Sequence, residues 1–331
     1  MKEKKFGNKG LKVEPLAFES LGVRGMATYI ETDDVKMIID PGSALGPRFR
    51  LRPHEREYLA LHESRQKILE TAKKTDILTI SHYHFDHFTP NFEDWKFIWS
   101  SPKMARELYT NKLILAKDAS EKINASQRKR GYMFQKKNSE YAEEIKSADG
   151  REFEFGSTKL KFSKPLFHGS EGTKLGYVLA LSVKTPENCF MHAPDIQGPM
   201  YKESLDYIID QKPDFLILGG PPIYIRFKLD EKDLTRAREN LKILAEKIPK
   251  LVVDHHLLRT TDYEKYLGPA RSVAEENNHE LIVASELIGK EPQLLEARRK
   301  ELHEMEPVEE KWYERVEKGE IDEDQSFLEE F

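Results

Sequence analysis

The chain is predicted to fold as a mixed α/β protein with metal-binding residues gathered at strand ends. Three observations predict this. Short apolar strands alternate with amphipathic helices along nearly the whole chain. Residue types that ligate metals fall at strand ends, at 82–87, 168, 195 and 255/256. Finally, 331 residues, 34% charged and 10% aromatic, supply enough apolar material for one large core.

In chain order, Glu14–Val23, Met26–Glu31 and Val35–Asp40 read as strands, separated by Gly25 and by Thr32-Asp33-Asp34. The third stops at Asp40-Pro41-Gly42. Gly42–Arg52 is a loop whose Arg48, Arg50 and Arg52 either converge on one anion or solvate the loop. Arg56–Lys74 has the apolar spacing of an amphipathic helix. Asp76–Ile80 is a short buried strand leading into Ile80–Pro90, I-S-H-Y-H-F-D-H-F-T-P. His82, His84, Asp86 and His87 thus fall within six positions. In an extended chain the first three project to one side. With His87 they exceed what one tetrahedral ion with an open position requires, which leaves a crowded single site or two adjacent metals.

Asp94–Ser100 and Lys112–Ala116 read as strands, with a helical turn at Met104–Tyr109 between them. Residues 117–150 are polar and helical in pattern and read as an insertion covering the site. There Arg128-Lys129-Arg130 and Lys136-Lys137 flank Tyr132 and Phe134, either as a solvated helix face or as a clamp for phosphates and bases. Glu152–Phe155 and Lys159–Phe162 form a hairpin. His168 ends an apolar run ahead of Gly169, Gly172 and Gly176, as a ligand on a strand-end loop would. Gly176–Val183 and Asn188–His192 are strands, and Cys189 is a small core residue rather than a nucleophile. Lys202–Gln211 is helical, and Phe215–Leu218 closes in Gly219-Gly220, glycines that permit close approach to a pocket. After the helix Leu229–Ile248, the strand Leu251–Asp254 ends in His255-His256. Asp262–Asn277 is helical, Leu281–Ala284 is the last strand, and Pro292–His303 and Pro307–Lys318 are helical. The final segment, 319–331, is an acidic tail, read as unstructured.

The run from His82 to His87 resembles the H-x-H-x-D-H signature of the metallo-β-lactamase-fold hydrolases, with every ligand position filled. The resemblance covers residues 12–285 and is to an archaeal branch of that superfamily. It implies an αββα sandwich, two mixed sheets face to face with helices outside and metals at one edge. It implies that His82, His84 and His168 hold one metal, that Asp86, His87 and His255 (or His256) hold a second, and that Asp195 bridges them. It places Asp40 beside the site, orienting a ligand histidine; His192, before the bend at Pro194, is expected to face the core or stand behind the ligands. Asp254 or Arg259 would stand behind the ligands or contact substrate. Flavodiiron reductases of this fold usually have Glu where this chain has His84, so imidazole there points to two zinc ions, with manganese or iron as alternatives.

The expectation is one domain over 1–300 and an acidic C-terminal helix and tail over 301–331. Those last 31 residues carry thirteen Asp/Glu against three Lys/Arg, a net −10, which leaves +5 on the rest. A mildly basic body and an arginine loop favour a small anionic substrate. The function read from this is metal-dependent hydrolysis of an anionic phosphoester, with Asp86 and Asp195 as catalytic carboxylates. Hydrolysis of a carboxylic ester, thioester or lactone, or nuclease action on nucleic acid, are the alternatives. From another class, the protein would be a metal-containing binding or regulatory module. No apolar run approaches the ~18 residues of a membrane span, and Cys189 has no partner for an internal disulfide. A cytoplasmic protein is therefore expected.

Overall fold

A computed structural model describes residues 7–8 and 10–321. Its first sheet has seven strands in chain order: β1 (Gly7–Asn8), β2 (Leu11–Phe18), β3 (Met26–Thr32), β4 (Lys36–Ile39), β5 (Ile77–Ile80), β6 (Leu113–Ala116) and β7 (Glu144–Ser147). β1 to β4 are antiparallel and β4 to β7 parallel. The second sheet is built from β8 (Glu152–Phe155), β9 (Thr158–Phe162), β12 (Leu181–Lys184), β13 (Cys189–Ala193), β14 (Phe215–Gly219), β15 (Lys250–Asp254) and β16 (Glu280–Ile282), with β13 to β16 parallel. β10 (Leu166–Phe167) and β11 (Tyr177–Val178) pair separately between β9 and β12.

Period-two alternation decides which side chains face which layer. In β4, Ile38 packs under the helices while Met37 and Ile39 pack between the sheets. In β15, Leu251 and Val253 face helices while Val252 meets the opposing sheet. The outer face of the first sheet is covered by α1 (Glu55–Ala72), α2 (Pro102–Tyr109) and α3 (Ala125–Asn138). α4 (Lys202–Gln211), α5 (Glu231–Lys247) and α6 (Tyr263–Glu276) cover the second. After the short α7 (Ala284–Leu287), α8 (Leu295–Met305) and α9 (Glu310–Val316) return to the first sheet's helix layer, where Leu295, Leu302, Tyr313 and Val316 are buried. This is the αββα sandwich implied by the resemblance.

Several sequence expectations are corrected. The strand expected over 14–23 runs over Leu11–Phe18, because the chain turns at Glu19–Leu21 into a short 3-10 segment closed by Gly22 in the left-handed region (φ 91°). Asp94–Ser100 is not a strand. The backbones of Asp94 and Ser100 close a loop, and the Asp94 carboxylate accepts the N–H groups of Phe97 and Ile98 that a strand would have needed. Its apolar residues Ile98 and Trp99 are buried, Trp99 within the helix-layer core. Residues 177–184 are two strands, since the N–H of Leu179 donates to the Ser81 carbonyl of the other sheet (3.0 Å). Residues 117–150 supply α3 and also β7, the edge of the first sheet, so the segment belongs to the sandwich and is not merely laid over it. Cys189 is half-buried rather than in the core, and burial pushes its thiol up. Most of the expected acidic tail, 322–331, lies outside the described residues. Among the described residues no helix is long and apolar enough to cross a membrane.

Candidate metal centre

Parallel strands place all their C-terminal ends on one edge, where ligands of open α/β sheets gather. Here Asp40 follows β4, Ser81-His82 follow β5, Asp195 lies two residues past β13 and His255 follows β15. Asp40, Asp195 and His255 all have left-handed backbones (φ 50°, 38° and 64°). Non-glycine residues held this way cost ~1–3 kcal/mol each and cluster at functional sites. The strained turns swing three side chains off the strand ends and toward one another.

The meeting point is the buried Asp195 carboxylate. One oxygen, Oδ2, lies 2.8 Å from His168 Nε2, 3.1 Å from His82 Nε2, 3.5 Å from His87 Nε2 and 3.8 Å from His84 Nδ1. The other, Oδ1, lies 2.8 Å from His255 Nε2. Asp86 Oδ2 is 3.8 Å from the same His255 nitrogen. His82, His84, His168 and Asp195 thus form one set of converging ligand atoms, and Asp86, His87 and His255 a second. The structure brings together all seven ligand positions read from the sequence.

The opposite nitrogen of each of these imidazoles has an outer partner. His87 Nδ1 donates to Asp40 Oδ2 (2.8 Å), and Asp40 in turn accepts the Ser81 N–H (2.7 Å) and hydroxyl (2.6 Å). His255 Nδ1 donates to Glu19 Oε2 (2.7 Å). His82 Nδ1 lies 2.9 Å from Ser81 Oγ, His84 Nε2 3.4 Å from Gln127 Nε2, and His168 Nδ1 3.4 Å from Gln197 Nε2. A carboxylate only accepts, so Asp40 and Glu19 each take the Nδ1–H of His87 and His255 and orient the rings with Nε2 toward Asp195. His256 differs. It stacks on His255 (centroids 4.2 Å apart), its Nε2 is 4.0 Å from Asp195, and its buried Nδ1 has no hydrogen-bond partner. His192 points away, its Nε2 bonded to the Met26 carbonyl (3.0 Å).

Two features fit these residues to divalent cations. His87 Nε2, His168 Nε2, His255 Nε2 and both Asp195 oxygens are buried with no satisfying hydrogen bond, although they crowd one small volume. Groups so arranged are normally satisfied by a ligand they share. Charge is concentrated there as well. Asp40, Asp195 and Glu19 are buried and Asp86 nearly so, while Arg259 accounts for part of the balance by bonding Glu19 (Nε–Oε1 2.6 Å) and approaching Asp86 (3.6 Å). Burial opposes charge on Asp195, yet His255 and His168 hold its carboxyl well below the usual range. Burial likewise opposes charge on Asp86, and His87 and His255 prevail. Burial, then His87 and His84, pushes the His82 imidazole down, so it is neutral and ready to ligate.

Sequence reasoning missed Glu19, Ser81, Gln127 and Gln197. Glu19 carried a signal: it is an acidic residue between the apolar runs Leu16-Ala17-Phe18 and Leu21-Gly22-Val23. The glutamines carried none, since their roles depend on tertiary placement. Of the two readings of the arginine loop, convergence of Arg48, Arg50 and Arg52 is not seen. Arg52 pairs with Glu310 of α9, Arg50 is exposed, and Arg48 stacks on Tyr224 (4.4 Å) and donates to the Arg259 carbonyl (3.0 Å). Gly219 and Gly220 act behind the site. A Cβ on Gly219 would lie 2.6 Å from the Asp195 nitrogen, and one on Gly220 2.6 Å from Leu257 Cβ. Gly42 is tighter still, since a Cβ there would fall 2.3 Å from Phe88 N and 2.5 Å from His87 C. Backbone cannot yield as a side-chain tip can. Gly42→Ala is therefore expected to cost about 1–3 kcal/mol and to loosen His87, read as a lower thermal midpoint together with reduced metal content.

No protein-family model matches the chain. It is 45% identical to a UPF0282 protein from Methanopyrus kandleri over 88% of its own length and 99% of that protein's. It is 43% identical to one from Methanocaldococcus jannaschii (88% and 96%) and to one from Pyrococcus horikoshii (91% and 95%). Among solved structures it aligns with a metal-dependent hydrolase of the β-lactamase superfamily at 12% identity and TM-score 0.43, covering 82% of this chain and 96% of that one. It also aligns with the diiron β-hydroxylase CmlA from Streptomyces venezuelae at 11% identity and TM-score 0.48, covering 84% of this chain but only 53% of that enzyme. These structural likenesses are ones of outline.

Proposed function

The chain belongs to the UPF0282 family of archaeal proteins, and we propose that it is a dinuclear metal-dependent hydrolase acting on an anionic phosphoester. The observation that carries this is the Asp195 carboxylate, with one oxygen among His82, His84, His87 and His168 and the other against His255. In this reading His82, His84 and His168 hold one ion, Asp86, His87 and His255 the other, and Asp195 spans both. Divalent cations held there, zinc first, supply a water of lowered proton affinity and stabilise charge developing on the scissile group. Asp40 and Glu19 keep the ligand imidazoles in register, and Asp195 fixes the separation of the two ligand sets. The anionic preference is supported by Arg259 beside Asp86 and by Arg48, held against Tyr224 and the Arg259 carbonyl. The lone Cys189 suits a reducing, cytoplasmic setting.

Elemental analysis should find two divalent ions per chain. Metal-replete protein should turn over bis(p-nitrophenyl) phosphate in preference to p-nitrophenyl acetate, and chelation should abolish the activity. Turnover of the acetate alone would replace the phosphoester reading with a carboxylic ester one. Absence of metal from protein never exposed to chelator would remove the dinuclear centre.

The histidine doublet gives a second test. His255 has a carboxylate fixing its outer nitrogen and His256 has none. His255→Ala is expected to halve the metal content, while His256→Ala retains both ions. The reverse pattern would reassign the ligand.

A further inference from the structure

A cavity of about 370 Å³ opens between the loop that follows His84 and helix α3. Its walls are apolar: the rings of Phe85, Phe88, Phe92 and Phe134 with the side chain of Met133. Phe85 packs on Phe88 (centroids 5.6 Å) and Phe92 (5.5 Å), so the wall is one connected aromatic surface. Phe92 and Met133 are 37% and 38% exposed, so the apolar wall is open to a ligand from solvent. The rim is cationic. Lys129, Arg130 and Lys137 line the cavity and no carboxylate does. Arg130 lies over the Phe85 ring (4.4 Å) and donates to the Tyr83 carbonyl (3.2 Å). The volume is at the small end of the ~300–1,000 Å³ typical of small-molecule sites.

The cavity neighbours the metal centre along the chain, and its rim Arg130 lies close enough to Asp86 to feel that carboxylate's charge. Phe85 stands in sequence between the ligands His84 and Asp86. On α3, Gln127 faces His84 Nε2 outside the cavity, and Arg130 of the rim follows it one turn later.

We propose that this cavity receives the apolar group of the substrate, so that the ester cleaved at the metal centre belongs to an amphipathic anion with an aromatic or branched aliphatic substituent. This rests on the hydrolase reading above. It explains why the charged side chains beside this apolar wall are all cations. The substituent is buried against the phenylalanines while Lys129, Arg130 and Lys137 attract the charged part toward the adjoining ligands.

Binding can be measured apart from turnover with the full-length protein. 8-Anilinonaphthalene-1-sulfonate, an aromatic anion, should bind the folded, metal-loaded chain with a stoichiometry near one, read by its fluorescence. Met133→Glu places a carboxylate in the wall at a partly exposed position, and should weaken binding at least tenfold without lowering the thermal midpoint. Phe92→Ala should weaken it several-fold. Phe227→Ala, at an exposed ring outside the cavity, should leave it unchanged. 1-Naphthyl phosphate should displace the dye at concentrations at least tenfold below those needed with methyl phosphate, and removal of the metals should raise the concentration of naphthyl phosphate required. Dye binding that survives both Met133→Glu and Phe92→Ala would overturn the cavity assignment. Displacement by naphthyl phosphate that is indifferent to the metals would overturn its link to the centre. If binding behaves as expected but no phosphoester is hydrolysed, the cavity stands and the hydrolase reading fails.

Discussion

Asp195→Asn is expected to lower turnover of any accepted phosphoester by roughly 10²–10³-fold, the scale of losing one preorganised charged group, while the protein still folds. A surface turn aspartate would behave otherwise. Its exchange for asparagine alters stability by ~0.5 kcal/mol or less and leaves activity alone. Asp195 is buried, left-handed in its backbone, and within 4.0 Å of six imidazoles through its two oxygens. The amide keeps the shape and one oxygen but loses the charge, and its nitrogen cannot ligate. One ion should therefore bind more weakly than the other. Metal content, thermal midpoint and turnover measured on one preparation separate the outcomes. Wild-type turnover with both ions retained would take Asp195 out of the centre.

Glu19→Gln is expected to act selectively on one of the two ions, weakening it by roughly 10–100-fold, the usual effect of removing a partner behind a ligating histidine. Glu19 serves two buried groups at once. Oε2 accepts from His255 Nδ1 and Oε1 from Arg259 Nε. The amide leaves Arg259 short of its buried counterion, and breaking a buried pair from one side costs about 3–5 kcal/mol. A fall in both thermal midpoint and affinity for a single ion is thus expected. Loss of stability with both ions unchanged would make Glu19 a partner of Arg259 alone. Glu19→Asp, which keeps the charge, should recover part of each property.

The parts of this architecture legible in the sequence are those written in local pattern. β5 and β15 are apolar runs that stop at histidine, and α1 and α5 carry helical spacing over many turns. The four proposed ligands at 82–87 lie within six adjacent positions, so no tertiary knowledge is needed to see them. His168, Asp195 and His255 are scattered, and the resemblance to a known pattern is what picked them out. What stayed illegible depends on distance in the chain. Gln127 reaches His84 across 43 positions and Glu19 reaches His255 across 236. The loop Asp94–Ser100 has strand-like composition, but one aspartate side chain captures the backbone donors first. The three arginines of the loop share a spacing but not an environment, because Glu310 and Tyr313 of the C-terminal helices draw Arg52 away.

The division of the chain between the two sheets has a thermodynamic consequence. Every strand of the first sheet precedes residue 148 and every strand of the second follows residue 151. His82, His84, Asp86 and His87 come from the first half of the chain, and His168, Asp195 and His255 from the second. Each proposed ion is thus a non-covalent cross-link between halves that share one short stretch of chain. Ion binding and docking of the halves become a single linked equilibrium, in which an ion at a thousand times its Kd adds about 4 kcal/mol to the docked state. Under metal starvation the same linkage would run backwards and expose the apolar faces of Ile39, Ile217 and Val252 that now meet between the sheets. Metal supply would then govern the lifetime of the protein in the cell as well as its chemistry.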